Sequence, residues 1–166
     1  DPGKDREVDL TTAVVDGDLR FSYRDFQIRA NRLSHALLDL GVEKGDRVCI
    51  LSPNSHFFLE SFYGTSQIGA VLVPVNYRLL AADHEYILTH AGAKVALVDR
   101  EHTRLVESLR PRLPGVRHWI SASDTQPAPE GWLDWNALVA VAASEAPPKP
   151  DLSENDLVSI NYTSGT

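Results

Sequence analysis

The sequence predicts an α/β protein, a mostly parallel sheet flanked by helices, with a small β-hairpin near the N-terminus. Three observations carry that expectation. Four short, mostly apolar runs, residues 47–51, 71–75, 94–98 and 116–120, read as strands, and such character suits strands covered on both faces. Helical stretches and short loops separate them at intervals of roughly 20 to 25 residues, the rhythm of right-handed βαβ crossovers. The composition, 166 residues with 43% hydrophobic and 23% charged, is that of about one globular domain rather than a disordered tail, a collagen-like repeat or a coiled coil.

The elements follow in chain order. Thr12 to Val15 and Leu19 to Tyr23 flank Asp16-Gly17-Asp18, an Asp-Gly turn between β-prone runs that signals a hairpin. Ser22 followed by Asp25 gives a capping-box-like helix start, and Phe26, Ala30, Leu33, Leu37 and Leu40 make one apolar stripe. Gly41 supplies the left-handed stop. After the strand at 47–51, Ser52-Pro53-Asn54-Ser55 leads into a second helix that carries Phe58, Leu59, Phe62 and Tyr63. Its small residues Gly64-Thr65-Ser66, and Gly69-Ala70 after them, allow a neighbouring backbone to approach closely. Residues 82–91 form a third helix stopped by Gly92, and residues 103–109 a fourth, disrupted by Pro111. Two polar, proline-bearing linkers, residues 121–131 and 145–156, flank a last short helix over 134–144. Residues 157–162 read as one more buried strand, ending in Thr163-Ser164-Gly165-Thr166.

Charge and length exclude several roles. With 16 Lys plus Arg against 23 Asp plus Glu, the net charge is −7. No clustered basic run offers a footprint for a nucleic-acid backbone or an anionic membrane surface. The longest apolar run, residues 137–143, is far short of the roughly 20 residues that cross a bilayer, and no basic-then-apolar leader opens the chain. A soluble, cytoplasmic protein is expected. The one cysteine, Cys49, sits in an apolar run that suits a buried thiol rather than a nucleophile. Met is absent even at position 1, so the sequence does not open at a translation start.

Searches for chemistry narrow to the chain's end. The sequence has no Gly-x-x-x-x-Gly-Lys-Ser/Thr loop, Gly-x-Gly-x-x-Gly turn, Gly-x-Ser-x-Gly elbow or Cys-x-x-Cys. His84 and His90 are the closest histidine pair, at a spacing unsuited to two metal ligands on adjacent helical turns. Asp83, Glu85, Asp99 and Glu101 lie at element ends, where solvated carboxylates are ordinary. No general base is nominated. Tyr162-Thr163-Ser164-Gly165-Thr166, following a strand of a parallel sheet, instead offers hydroxyls and approachable backbone N–H groups to an anion, at the edge where such sheets bind ligands. The plainer reading is a polar turn.

Tyr162-Thr163-Ser164-Gly165-Thr166 resembles the opening of the Tyr-Thr-Ser-Gly-Thr-Thr-Gly-x-Pro-Lys-Gly phosphate loop of the adenylate-forming (AMP-binding) superfamily. That family includes acyl-CoA synthetases, luciferases and peptide-synthetase adenylation domains. Asn31-Arg32-Leu33 through Leu40-Gly41-Val42-Glu43-Lys44-Gly45-Asp46-Arg47-Val48 looks like its Asn-Arg…Gly-Val-x-x-Gly-Asp-Arg-Val segment. Ile68-Gly69-Ala70-Val71-Leu72-Val73-Pro74-Val75-Asn76-Tyr77-Arg78-Leu79 is similar to its Gly-Ala-Val-x-Val-Pro-x-Asn-x-Arg-Leu segment, and order and spacing agree over residues 12–166.

The resemblance implies the N-terminal portion of the large domain of the acyl-CoA synthetase-like fold: residues 1–166 as a partial AMP-binding domain, truncated within the phosphate-binding loop, with the C-terminal lid domain outside the sequence. It implies an ATP-dependent carboxylic acid:CoA ligase that forms an acyl-adenylate and then an acyl-CoA thioester, using ATP, Mg2+ and coenzyme A, on a fatty or aromatic acid. Thr163, Ser164, Gly165 and Thr166 would belong to the clamp on the triphosphate. No catalytic or metal-ligating residue is assigned; the loop lysine, the magnesium-binding segment and the acyl pocket would lie beyond Thr166, so the 166 residues alone are expected to be inactive. Asn76 and Arg78, after a strand end, are read as structural. Three alternatives stay open: transfer to a carrier protein, a non-catalytic half-domain completed by another chain, and an unrelated flavodoxin-like nucleotide binder. Association into a homo-oligomer is also left open.

Overall fold

The computed structural model describes residues 11–163. It begins with the antiparallel hairpin of β1 (Thr12–Asp16) and β2 (Leu19–Ser22), closed by Gly17 at a φ of 55°. Ser22 then caps α1 (Tyr23–Asp39) through a full capping box. Asp25 N donates to Ser22 Oγ (3.1 Å) while Ser22 N donates to Asp25 Oδ2 (3.2 Å), satisfying two of the helix's orphan donors. The stripe at Ala30, Leu33 and Leu37 is buried.

The chain continues as β3 (Arg47–Leu51), α2 (His56–Ser66), β4 (Val71–Val75), α3 (Ala81–Ala91) and β5 (Ala93–Asp99). A short α4 (Thr103–Glu107), β6 (His118–Ala122), β7 (Leu133–Asp134) and α5 (Trp135–Val141) complete it. The five-stranded sheet runs β4-β3-β5-β6-β7, with every pairing parallel. The α/β class, the hairpin and the parallel sheet are therefore as the sequence predicts. β6 starts two residues later than the apolar run, because Val116 is buried in the preceding turn rather than in the ladder. The two-residue β7, inside one of the linker-flanked regions, has no sequence signal of its own.

Alternation along the strands builds two cores. Val48 and Ile50 of β3 join Leu72, Val95, Leu97 and Ile120 beneath α1, α2 and α5. Cys49 and Leu51 face the other way, with Val73, Val75, Ala96 and Val98 under α3 and α4. Cys49 is fully buried, and burial pushes its thiol up to about 12, which keeps it neutral and inert.

Two glycines are required by their surroundings. Gly92 ends α3 in the left-handed conformation (φ 66°), where a Cβ would meet Arg47 Nη2 at 2.7 Å. Arg47 Nε donates to Ala91 O at 2.7 Å, tying the end of α3 to the start of β3. Gly64 of α2 lets α1 close in: a Cβ there would lie 2.7 Å from Leu33 Cδ2. The close approach expected at the small residues of α2 is made by the Leu33 side chain of α1, with Ser34 Oγ donating to Gly64 O at 2.8 Å.

Candidate functional site

The strand order sets where a ligand meets this sheet. From β3 the chain crosses outward to β4, then returns past β3 to β5 and moves away in the other direction. The carboxyl ends of β3 and β5 therefore flank a switch point, the crevice where open parallel sheets bind small molecules. Ser52-Pro53-Asn54-Ser55, Asn76-Tyr77-Arg78, Asp99 to His102 and Ser123-Asp124 all follow strand ends along this edge.

Each of these loops is internally tied. Ser52 Oγ lies 3.2 Å from Ser55 Oγ, and Ser55 caps α2. Asn76 Oδ1 accepts from Arg78 N (3.0 Å), and its carbonyl lies 3.0 Å from Nε2 of the fully buried His84. Tyr77 packs edge-on to His102 (5.1 Å, 74°), joining the loop after β4 to the one after β5. Asn76 and Arg78 are exposed, but their described partners lie within their own loop and on α3. The carboxylates at element ends have local roles. Asp83 accepts from Leu80 N, Glu85 pairs with Arg112, and Asp99 accepts from Glu101 N. Among the described residues no group of three or more His, Cys, Asp or Glu can hold a metal ion.

At the same edge lies a charged network that the sequence did not announce. His56, in the first turn of α2, is fully buried, and both its ring nitrogens meet carboxylates. Nδ1 lies 2.7 Å from Glu60 Oε1, and Nε2 lies 2.8 Å from Asp124 Oδ2 in the loop after β6. Arg29 Nε of α1 donates to the same Glu60 oxygen, and Asp16 Oδ2 of the hairpin accepts from His56 N at 2.8 Å. Phe21 covers the His56 ring at 5.3 Å and the Arg29 guanidinium at 4.9 Å. Burial works against the imidazolium, but the hydrogen bonds and charges of Glu60 and Asp124 outweigh it, and the pKa of His56 is raised. The i, i+4 spacing of His56 and Glu60 places both on one helical face; Arg29 and Asp124 come from too far away in sequence to be anticipated.

The segment expected to hold the phosphate-binding residues runs along the outer side of β4. Leu72 N donates to Val158 O (3.1 Å) and Ile160 N donates to Leu72 O (3.0 Å), a single parallel bridge at Ser159. The expectation of a buried strand over 157–162 is corrected here. Leu157 and Val158 are 64% and 51% exposed, and pairing stops at one bridge, because this segment has a described neighbour on one side only. Its inward residues behave as extended chain: Ile160 and Tyr162, two apart, both pack on the core that contains Cys49 and Val73. Burial raises the Tyr162 phenol above its usual pKa, and its hydroxyl lies 2.7 Å from His90 Nδ1. Of the four predicted clamp residues, Thr163 is exposed at the end of this segment. Ser164, Gly165 and Thr166 lie outside the described residues.

Residues 6–166 match the family described as AMP-binding enzyme. The chain belongs to this family. Among curated AMP-binding relatives, it is 36% identical over 152 residues to the long-chain-fatty-acid–CoA ligase FadD13 of Mycobacterium tuberculosis, covering 90% of this chain and 28% of that protein. It is 33% identical over 155 residues to a feruloyl-CoA synthase of an Amycolatopsis species, covering 93% of this chain and 28% of the relative. Among solved structures, the anthranilate CoA ligase AuaEII in complex with anthranoyl-AMP superposes with a TM-score of 0.91 at 30% identity, over 96% of this chain and 30% of that one. The N-terminal domain of FACL13 from Mycobacterium tuberculosis does so with a TM-score of 0.83 at 32% identity, over 93% and 38%. The chain thus spans about 28% of the length of the curated relatives it matches.

Proposed function

We propose that the polypeptide carrying this chain is an ATP-dependent carboxylic acid:CoA ligase. The carrying observation is the AMP-binding match over residues 6–166, joined to relatives named as CoA ligases of fatty and aromatic acids. A carboxylate is a poor electrophile, so activation must give it a leaving group. One carboxylate oxygen attacks the α-phosphorus of ATP, the bond to the β-phosphate oxygen breaks, and pyrophosphate departs, leaving a mixed anhydride of acid and AMP. The thiol of coenzyme A, losing its proton, then attacks the acyl carbon and expels AMP.

In this reading Thr163, Ser164, Gly165 and Thr166 supply hydroxyl and backbone N–H donors to the triphosphate, offsetting the repulsion between carboxylate and phosphates. Mg2+ accompanies the triphosphate, and the described residues provide no ligand cluster for it. In this reading the ligase acts on small molecules in the cytoplasm; no helix of the described residues is long and apolar enough to cross a membrane. Given the 28% coverage of its relatives, the 166-residue piece by itself is expected to be inactive.

The test is acid-dependent exchange of labelled pyrophosphate into ATP by the natural polypeptide, run with fatty and aromatic acids, followed by loss of free coenzyme A thiol. Exchange together with thiol loss supports the ligase. Exchange with no thiol loss, but with acylation of a phosphopantetheine carrier, replaces coenzyme A by a carrier protein. Absence of exchange with every acid contradicts the proposal.

A further inference from the structure

We propose that His90, stacked on Tyr86, is the positioning residue for the phosphate-binding turn: by holding the Tyr162 hydroxyl it fixes where Thr163 leaves the sheet, and thereby the affinity for Mg·ATP. This rests on the ligase reading above.

Backbone pairing of the segment to β4 ends at Ile160. Past that point Asn161 bonds only locally, its Nδ2 donating to Ser159 Oγ at 3.2 Å. Among the described residues, the hydrogen bond between Tyr162 and His90 (2.7 Å) is the one by which residues 161–163 reach another element. It joins positions 72 apart in sequence and stands one residue before the first predicted clamp residue.

The ring geometry makes this tie directional. Tyr86 and His90, one helical turn apart on α3, are stacked with centroids 5.4 Å apart and planes 17° apart. Tyr162 meets the other partner of that stack edge-on, at 5.8 Å and 81° from the His90 ring. Three rings on two elements thus fix the Tyr162 ring on its hydroxyl side, while its body rests on the core. The platform is itself immobilised. α3 is pinned near its start by His84 against the Asn76 carbonyl and at its end by Arg47 on Ala91 O.

Tyr86 and His90 are both exposed, and no described core contact depends on the His90 ring, so its replacement leaves the fold intact. Donors that stabilise a triphosphate lose their effect when displaced by a fraction of an ångström. A lost positioning bond is therefore read in nucleotide binding before it is read in chemistry.

The test uses the natural polypeptide carrying His90→Ala, His90→Gln, Tyr162→Phe and the double variant His90→Ala/Tyr162→Phe, with Mg·ATP as the probe in pyrophosphate exchange. The expected result is a KM for ATP raised roughly 3- to 10-fold in His90→Ala and Tyr162→Phe, the scale of one hydrogen bond. The KM for the acid should be unchanged and kcat should stay within about twofold. His90→Gln, which keeps a hydrogen-bonding group, should recover most of the loss, and the double variant should be no worse than either single one. An unshifted KM for ATP in His90→Ala, or additive effects in the double variant, overturns the proposal while wild-type exchange leaves the ligase reading standing. Absence of exchange in the wild type overturns both.

Discussion

The two helices that cover the same face of the sheet bury different mixtures of surface. α1 turns its apolar stripe inward as its spacing dictates, with Ala30, Leu33 and Leu37 buried and only Asn31 and Ser34 polar among its buried residues. α2 turns mostly polar residues inward: His56, Glu60, Ser61 and Thr65 are buried beside the core residue Phe57, while Leu59 is 42% and Tyr63 54% exposed. An apolar stripe is sufficient to orient a helix only when nothing stronger competes. In α2 the competitors are the buried His56 and Glu60, held from the surface by Arg29 and Asp124, and a chain of hydroxyls, Ser61 and Thr65 each bonding a carbonyl one turn back. Gly64 supplies the contact surface with α1. The orientation of α2 thus depends on partners that only the folded chain brings together.

The largest effect is expected where α2 departs most from the apolar rule. Glu60→Ala leaves His56 and Arg29 facing each other in a buried site without their shared carboxylate, and should cost about 3 to 5 kcal/mol in urea unfolding. The same network should be sensitive to pH. His56 has a raised folded-state pKa, so its contribution is fully present below the unfolded value of about 6.5 and is lost as pH rises through the folded value. Asp124, Glu60, Arg29 and the Asp16 contact to the His56 backbone all face this group. The urea midpoint should decline above about pH 6.5, and the decline should be missing from His56→Gln. A midpoint equally flat in both proteins would remove the charged imidazole from the account.

Gly64→Ala probes the contact between the two helices. Its methyl group would meet Leu33 at 2.7 Å, an overpacking expected to cost about 1 to 3 kcal/mol, measured by the same unfolding curves. The smallest effect belongs to the outward face of α2. Phe62→Gln should change stability by no more than about 0.5 kcal/mol, as ordinary surface substitutions do. A loss of several times that size would mean that another surface of the natural polypeptide covers this face, and the comparison between α1 and α2 would then concern which partner each apolar stripe finds.

The parts of the fold carried by local chemistry were legible beforehand. The strands at 47–51, 71–75 and 94–98 announced themselves because both faces of each are covered, so no polar residue interrupts the run. The Ser22 and Asp25 box and Gly92 gave helix ends because their interactions close within a few residues. What was not legible is non-local. His56 reads as an isolated polar residue until Arg29 and Asp124 arrive from distant elements. Residues 157–162 carry the apolar pattern of a core strand, yet sequence pattern does not distinguish a strand with two neighbours from one held at a single bridge. The clamp itself was legible only through its resemblance to a phosphate loop. Of its residues Thr163 lies exposed past the bridge to β4, whereas the contact between His90 and Tyr162 joins positions too far apart in sequence to be anticipated.

The proposed activation of acids as adenylates by the polypeptide that carries this chain is tested most directly by product analysis with mass spectrometry. The natural polypeptide would be incubated with ATP, Mg2+ and a carboxylic acid in the absence of coenzyme A. The account predicts an enzyme-bound acyl-AMP with one pyrophosphate released. Formation of ADP and an acyl phosphate, or no nucleotide product with any fatty or aromatic acid, would contradict it.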